Sequence, residues 1–142
     1  MTTIQNIDTT LILAGNNDRK VFDPQALTEL AASIKEHGLA QPITVRPMGD
    51  KFQIVAGERR FRAISQILKW ETVPAIVRTL TDEEASAIML VENTSRADLN
   101  PIEEAQAYQV RRQTYGWDLE RIARVAGVSE DLIKRRLALL DL

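Results

Sequence analysis

The apolar pattern of this chain changes character part-way along. Between Ile4 and Val77 strand-like runs alternate with helical ones, whereas from Asn100 to Leu142 every apolar repeat has helical spacing. Such a layout confines any sheet to the first part and leaves the second to pack helix on helix. The fold class expected is therefore α+β, a small α/β unit followed by an all-α one. At 142 residues and 44% hydrophobic content, the chain can bury one ordinary core, or a modest core plus a small appended unit.

Local signals place the elements. Ile4 to Leu13 reads as one strand. Asp23-Pro24 supplies an N-cap and a first-turn proline, and Leu27, Leu30, Ala31 and Ile34 repeat helically until Gly38. Pro42 to Arg46 and Lys51 to Ala56 read as strands joined by the turn Pro47-Met48-Gly49-Asp50. Phe61, Ile64, Ile67 and Leu68 predict a helix from Glu58 to about Leu68, and Val73 to Val77 is a short strand. Thr81 and Glu84 form a capping-box pattern for a helix running to about Asn93. A domain boundary is expected in the polar stretch 94 to 100, giving domains of residues 1–94 and 95–142. Asn100-Pro101 with Glu103 then starts a helix that Gly116 ends.

Composition excludes several chemistries. There is no cysteine, so disulfides, thiolate metal sites and cysteine nucleophiles are out. The single histidine, His37, cannot form a histidine metal cluster and reads as a solvated helix end. No apolar run approaches the roughly 18 residues of a spanning helix. The N-terminus lacks a signal-peptide layout, so a cytoplasmic location is expected. The formal charge is −2, but it is uneven: residues after Val110 carry +2 and those up to it −4. No global basic field announces nucleic acid, and none is needed for a local site.

Three constellations carry chemistry. Gly57-Glu58-Arg59-Arg60-Phe61-Arg62 sits where a strand becomes a helix. Glycine lets the backbone approach closely, helix-start amides point outward, and arginine donates paired hydrogen bonds to phosphate. Cations at a helix start are disfavoured by up to ~1 kcal/mol, so something negative should compensate, either a phosphate or surface acids such as Glu58. Glu92 and Asn93 offer adjacent hard oxygens of the kind Mg²⁺ takes alongside phosphates and water, and Arg96 follows as a phosphate clamp; an ordinary polar helix end is the competing reading. Finally, Leu119, Ile122 and Ala123, the turn Gly127-Val128, and a helix capped by Ser129 have helix-turn-helix spacing. That helix would present Ser129, Glu130, Lys134, Arg135 and Arg136 for phosphates or guanine edges. Helical hairpins with no DNA role share the spacing.

The ordered set SIKEHGLAQPITVRP, IVAGERRFRA, VPAIVR and ENTSRADLNPIEEAQAY, followed by the helix-turn-helix, resembles the ParB family of DNA partition proteins from about residue 19 onward. The resemblance implies a ParB/sulfiredoxin-like N-terminal domain and a CTP-dependent homodimeric clamp on a palindromic centromere-like DNA site. It also implies a ParA-type ATPase partner and nucleoid or plasmid association. By the same resemblance Gly57, Glu58, Arg59, Arg60 and Arg96 would hold the triphosphate, Glu92 and Asn93 the Mg²⁺, and Gly38, Gln41, Pro42, Ile43, Thr44 and Arg46 the cytosine side. Nucleoid-occlusion factors and transcriptional regulators belong to the same family, and a ParB-fold nuclease is a further alternative.

Two departures stand out. The family's N-P-x-Q-P-R run is here Ala14-Gly15-Asn16-Asn17-Asp18-Arg19, so the glutamine associated with hydrolysis is replaced by the shorter Asn17 and both prolines are missing. Asn17 is the candidate catalytic position. A water-orienting group misplaced by about 1 Å costs ~10²-fold, so whether CTP is hydrolysed stays open on the sequence. The chain also ends just after the recognition helix, where full-length members continue; a truncated piece with reduced DNA affinity is expected.

Overall fold

The computed structural model describes residues 4–13, 23–39, 41–94 and 100–142. Its elements are β1 (Ile4–Asp8), β2 (Ile12–Leu13), α1 (Pro24–His37), β3 (Ile43–Met48), β4 (Lys51–Ala56), α2 (Glu58–Arg62), β5 (Thr72–Val77), α3 (Asp82–Thr94), α4 (Pro101–Tyr115), α5 (Leu119–Ala126) and α6 (Glu130–Ala138). Packing divides them into two compact units, the first ending at Leu80 and the second beginning at Thr81.

The first unit is built on a mixed five-stranded sheet ordered β1-β5-β3-β4-β2. β3 runs antiparallel to β4 and parallel to β5, so the strand that opens the candidate nucleotide segment lies in the middle of the sheet. Ile43, Val45, Ile54, Val73 and Ala75 share a core with Ala31 and Ile34 of α1 and with Ala63 and Ile64 after α2. Each large aliphatic side chain buried there contributes about 1.5–3 kcal/mol. The β3–β4 register shifts between Thr44 and Val45, leaving Val55 of β4 without a residue opposite it, a bulge that lets the neighbours Ile54 and Val55 both be buried.

Two local expectations are corrected. Ile4 to Leu13 is not one strand. Asp8 accepts hydrogen bonds from the Thr10 amide at 2.9 Å and its hydroxyl at 2.8 Å, the Thr9 amide donates to Glu71 O at 2.9 Å, and a 3-10 turn over Thr9–Leu11 results. β1 then pairs with β5 at one sheet edge and β2 with β4 at the other. The Glu58 to Leu68 helix also changes form, being α-helical only through Arg62 and widening to π-type turns over Ala63–Leu68. It ends at Lys69, in left-handed backbone conformation, with the Trp70 amide donating to Ile64 O at 3.2 Å. His37 is exposed, as expected of a solvated helix end.

The second unit packs α3 to α6 around Leu90, Ala107, Tyr108, Trp117, Ile122 and Ile133. α3 is tied in by polar contacts as well. The buried Arg111 donates to Ser86 O at 2.8 Å, and Glu83 accepts from Trp117 Nε1 at 2.6 Å and Arg121 Nη1 at 2.8 Å. The capping box predicted at Asn100 and Glu103 is present in full.

Candidate functional site

In the first unit the β4–α2 junction and the start of β3 converge. Gly57 caps α2 with φ +97°, a left-handed conformation that side chains other than glycine rarely adopt. A Cβ there would lie 2.8 Å from Ile43 Cγ2 and 3.0 Å from Arg60 Nη2, so the backbone is held against β3 with no space for a side chain. Arg60 reaches back across the junction. Its Nη1 donates to Gln41 O at 2.8 Å and Pro42 O at 3.1 Å, which fixes the chain entering β3 to the start of α2. Gln41, Pro42, Ile43, Gly57 and Arg60 therefore form one connected group, and Thr44 joins it by pairing with Ala56.

The remaining sequence-predicted residues of this unit sit around that group. Glu58 lies 3.8 Å from Arg62 one helical turn on, both partly exposed, a geometry worth at most a few tenths of a kcal/mol. Arg59 is half-buried. Arg46 is buried and turned toward the sheet, donating from Nε to Gln53 Oε1 at 2.8 Å and from Nη1 to Leu80 O at 3.2 Å. Gly38 closes α1, its amide donating to Ile34 O at 2.8 Å. The arrangement offers a tight backbone turn and several guanidinium groups, the donor chemistry that a polyphosphate accepts.

Glu92 and Asn93 belong to the last turn of α3 in the second unit, and Glu92 is half-exposed. Adjacent carboxylate and carboxamide oxygens fit Mg²⁺, which takes one or two protein oxygens and completes its shell with phosphate and water. Among the described residues no group of three or more His, Asp or Glu side chains forms a metal cage by itself. Asn17, Arg96 and the Asn93 side chain lie outside what the structure describes.

The helix-turn-helix is α5, its turn and α6. Gly127 (φ +73°) and Val128 donate from their amides to Ala123 O at 2.9 and 3.1 Å, and the Ser129 hydroxyl oxygen accepts from the Leu132 amide at 3.1 Å. Ile133 is fully buried, while Ser129, Glu130, Lys134 and Arg135 are exposed. Arg136 is placed differently, for its Nε donates to Glu104 Oε2 of α4 at 2.8 Å. Glu104 also accepts from the buried Tyr108 hydroxyl at 3.0 Å. Burial first, and then the Glu104 carboxylate, hold the Tyr108 proton on well above the usual phenol range. Sequence reasoning missed Glu104 because its partner Arg136 is 32 residues away along the chain, and missed Tyr108 because it enters only through its hydrogen bond to Glu104.

Comparison with known proteins also finds two domains, but places α3 in the first of them. Residues 1–94 match the ParB N-terminal domain and residues 97–142 the ParB HTH domain. A probable chromosome-partitioning protein ParB of Pseudomonas putida is 43% identical over 98% of this chain and 48% of its own length. A nucleoid occlusion protein of Halalkalibacterium halodurans is 42% identical over 87% of this chain and 44% of its own. The chain thus spans about half the length of these relatives. Among solved structures, C-terminally truncated ParB from Caulobacter crescentus complexed to the centromeric parS site is similar with a TM-score of 0.73 and 36% identity, over 97% of this chain and 72% of that one. The same protein complexed with CTP-gamma-S gives 0.60 and 37%, over 99% and 79%. Sulfiredoxin from Arabidopsis thaliana gives 0.50 and 26%, over 57% of this chain and 90% of that one. With two domain models covering nearly its whole length, this chain belongs to the ParB family.

Proposed function

We propose that this chain binds CTP with Mg²⁺ through residues 1–94 and double-stranded DNA through residues 95–142, as part of a partition protein acting on chromosomes or plasmids. The observation that carries the reading is the Arg60 guanidinium clamped on the Gln41 and Pro42 carbonyls beside a glycine with no room for a side chain. It ties the start of β3 to the start of α2; on this reading Gly57, Glu58, Arg59 and Arg60 would meet the phosphates and Gln41 to Thr44 the base. A relative 37% identical was crystallised with CTP-gamma-S, which supports the choice of nucleotide.

Glu92 and Asn93 would hold the Mg²⁺, which neutralises phosphate charge when bound. Arg96 would contact phosphate. The exposed Ser129, Glu130, Lys134 and Arg135 would meet the DNA, a partner supported by a relative's complex with the centromeric parS site; a palindromic site read by a homodimer is the form of binding this reading implies. Hydrolysis would rest on Asn17, whose side chain is one methylene shorter than the family's glutamine, so slow or absent turnover is expected. A ParA-type ATPase is the partner this reading implies.

Nucleoid occlusion is the second reading, because relatives of that name match about as well as those named for partitioning. A sulfiredoxin-type activity is not proposed, since that chemistry needs a cysteine and the chain has none.

Competition for labelled CTP by unlabelled CTP, ATP, GTP and UTP, with Mg²⁺, tests the reading. CTP alone should compete, and Arg60→Ala should abolish retention. Equal competition by all four nucleotides would sink it.

A further inference from the structure

We propose that Glu104 is a positioning residue for α6: braced by Tyr108, its carboxylate holds Arg136 by Nε and sets which side of the helix faces outward. The inference rests on the reading of α6 as the DNA-contacting helix.

Both oxygens of Glu104 are committed, Oε1 to the Tyr108 hydroxyl at 3.0 Å and Oε2 to Arg136 Nε at 2.8 Å. The Glu104 side chain is 18% exposed and that of Arg136 30%, so the pair is only partly screened by water. Tyr108 is fully buried, which fixes the carboxylate to the core of its own helix one turn away.

α6 needs such an anchor. Ser129 and the Gly127 turn fix its N-terminal end, and burial of Ile133 presses it onto the core. Apolar burial is non-directional and tolerates rotation about the helix axis. A charge-assisted hydrogen bond between helices does not. Of three consecutive cations, Lys134 and Arg135 are therefore left for phosphate, while Arg136 is withdrawn to aim them.

Three measurements on the full chain test this. In a thermal-unfolding cycle of Glu104→Gln, Arg136→Met and the double variant, the pair should couple by roughly two- to tenfold in the unfolding equilibrium. Additive singles would overturn the proposal, whatever becomes of DNA binding.

Salt titration of binding to a short mixed-sequence duplex separates contact from positioning. Lys134→Ala and Arg135→Ala should each reduce the salt slope by about 1, whereas Arg136→Ala should weaken binding and leave the slope in place. A slope loss for Arg136→Ala equal to that for Lys134→Ala would make Arg136 a phosphate contact and overturn the proposal. Failure of the unmodified chain to bind duplex even at low salt would instead sink the DNA reading.

The charge swap Glu104→Arg with Arg136→Glu restores the pair at unchanged net charge. It should recover the affinity lost in either single swap. A double swap that unfolds like the unmodified chain yet binds no better than Arg136→Glu alone would overturn the proposal.

Discussion

Gly57 and Gly127 stand at helix ends in the two units, both in left-handed backbone conformation, with φ of +97° and +73°. Their surroundings differ. A Cβ at Gly57 would strike Ile43 at 2.8 Å, whereas one at Gly127 would meet nothing within 4 Å. The first glycine is required twice, by backbone conformation and by space, because strand, helix start and Arg60 are drawn together there. The second is required only by the turn. The cations follow the same contrast, since Arg60 is spent on holding backbone together while Lys134 and Arg135 are left exposed. Under the function proposed, the first region supplies fixed walls for a small ligand and the second presents exposed cations of a helix to a large one.

Substitutions can break this contrast. Gly57→Ala should be the most costly, combining left-handed strain of about 1–2 kcal/mol with overpacking of about 1–3 kcal/mol. Denaturant unfolding should show a loss of about 3 kcal/mol, and a value near that of the turn glycine would remove the distinction. Gly127→Ala should cost only ~1 kcal/mol, and Gly127→Asn less, because asparagine tolerates that backbone region and the space is open. Arg62→Ala should be the mildest, under about 0.5 kcal/mol, as its ion pair with Glu58 is 3.8 Å long and its side chain is 31% exposed. A larger loss would mean that the arginines after Gly57 stabilise the fold beyond this pair.

Much of the architecture was legible locally. Asn100, Asp23 and Ser129 announce helix starts through side chains that cap amides two or three residues on, and all three caps are present. The turn at Gly127 and the strands flanking Gly49 follow from equally short-range rules. What could not be read depends on distant partners. The Asp8 carboxylate caps the turn locally through Thr10, but the bend between two sheet edges also depends on Thr9 meeting Glu71, 62 residues away along the chain. Arg60 was visible as a cation at a helix start, but its targets are 18 and 19 residues away. Arg136 looked like one more outward cation until Glu104 met it. The affiliation of α3 was hidden too, because its capping signal says where it begins and not which core Leu90 joins.

The most direct test of the nucleotide claim uses the two glycines together. Calorimetric titration with CTP and Mg²⁺ would be run on the unmodified chain, Gly57→Ala and Gly127→Ala, each checked by circular dichroism for a retained fold. Saturable, CTP-selective heat is predicted for the unmodified chain and Gly127→Ala, and none for Gly57→Ala. Undiminished CTP heat in Gly57→Ala, or equal heats for CTP and ATP, would contradict the account.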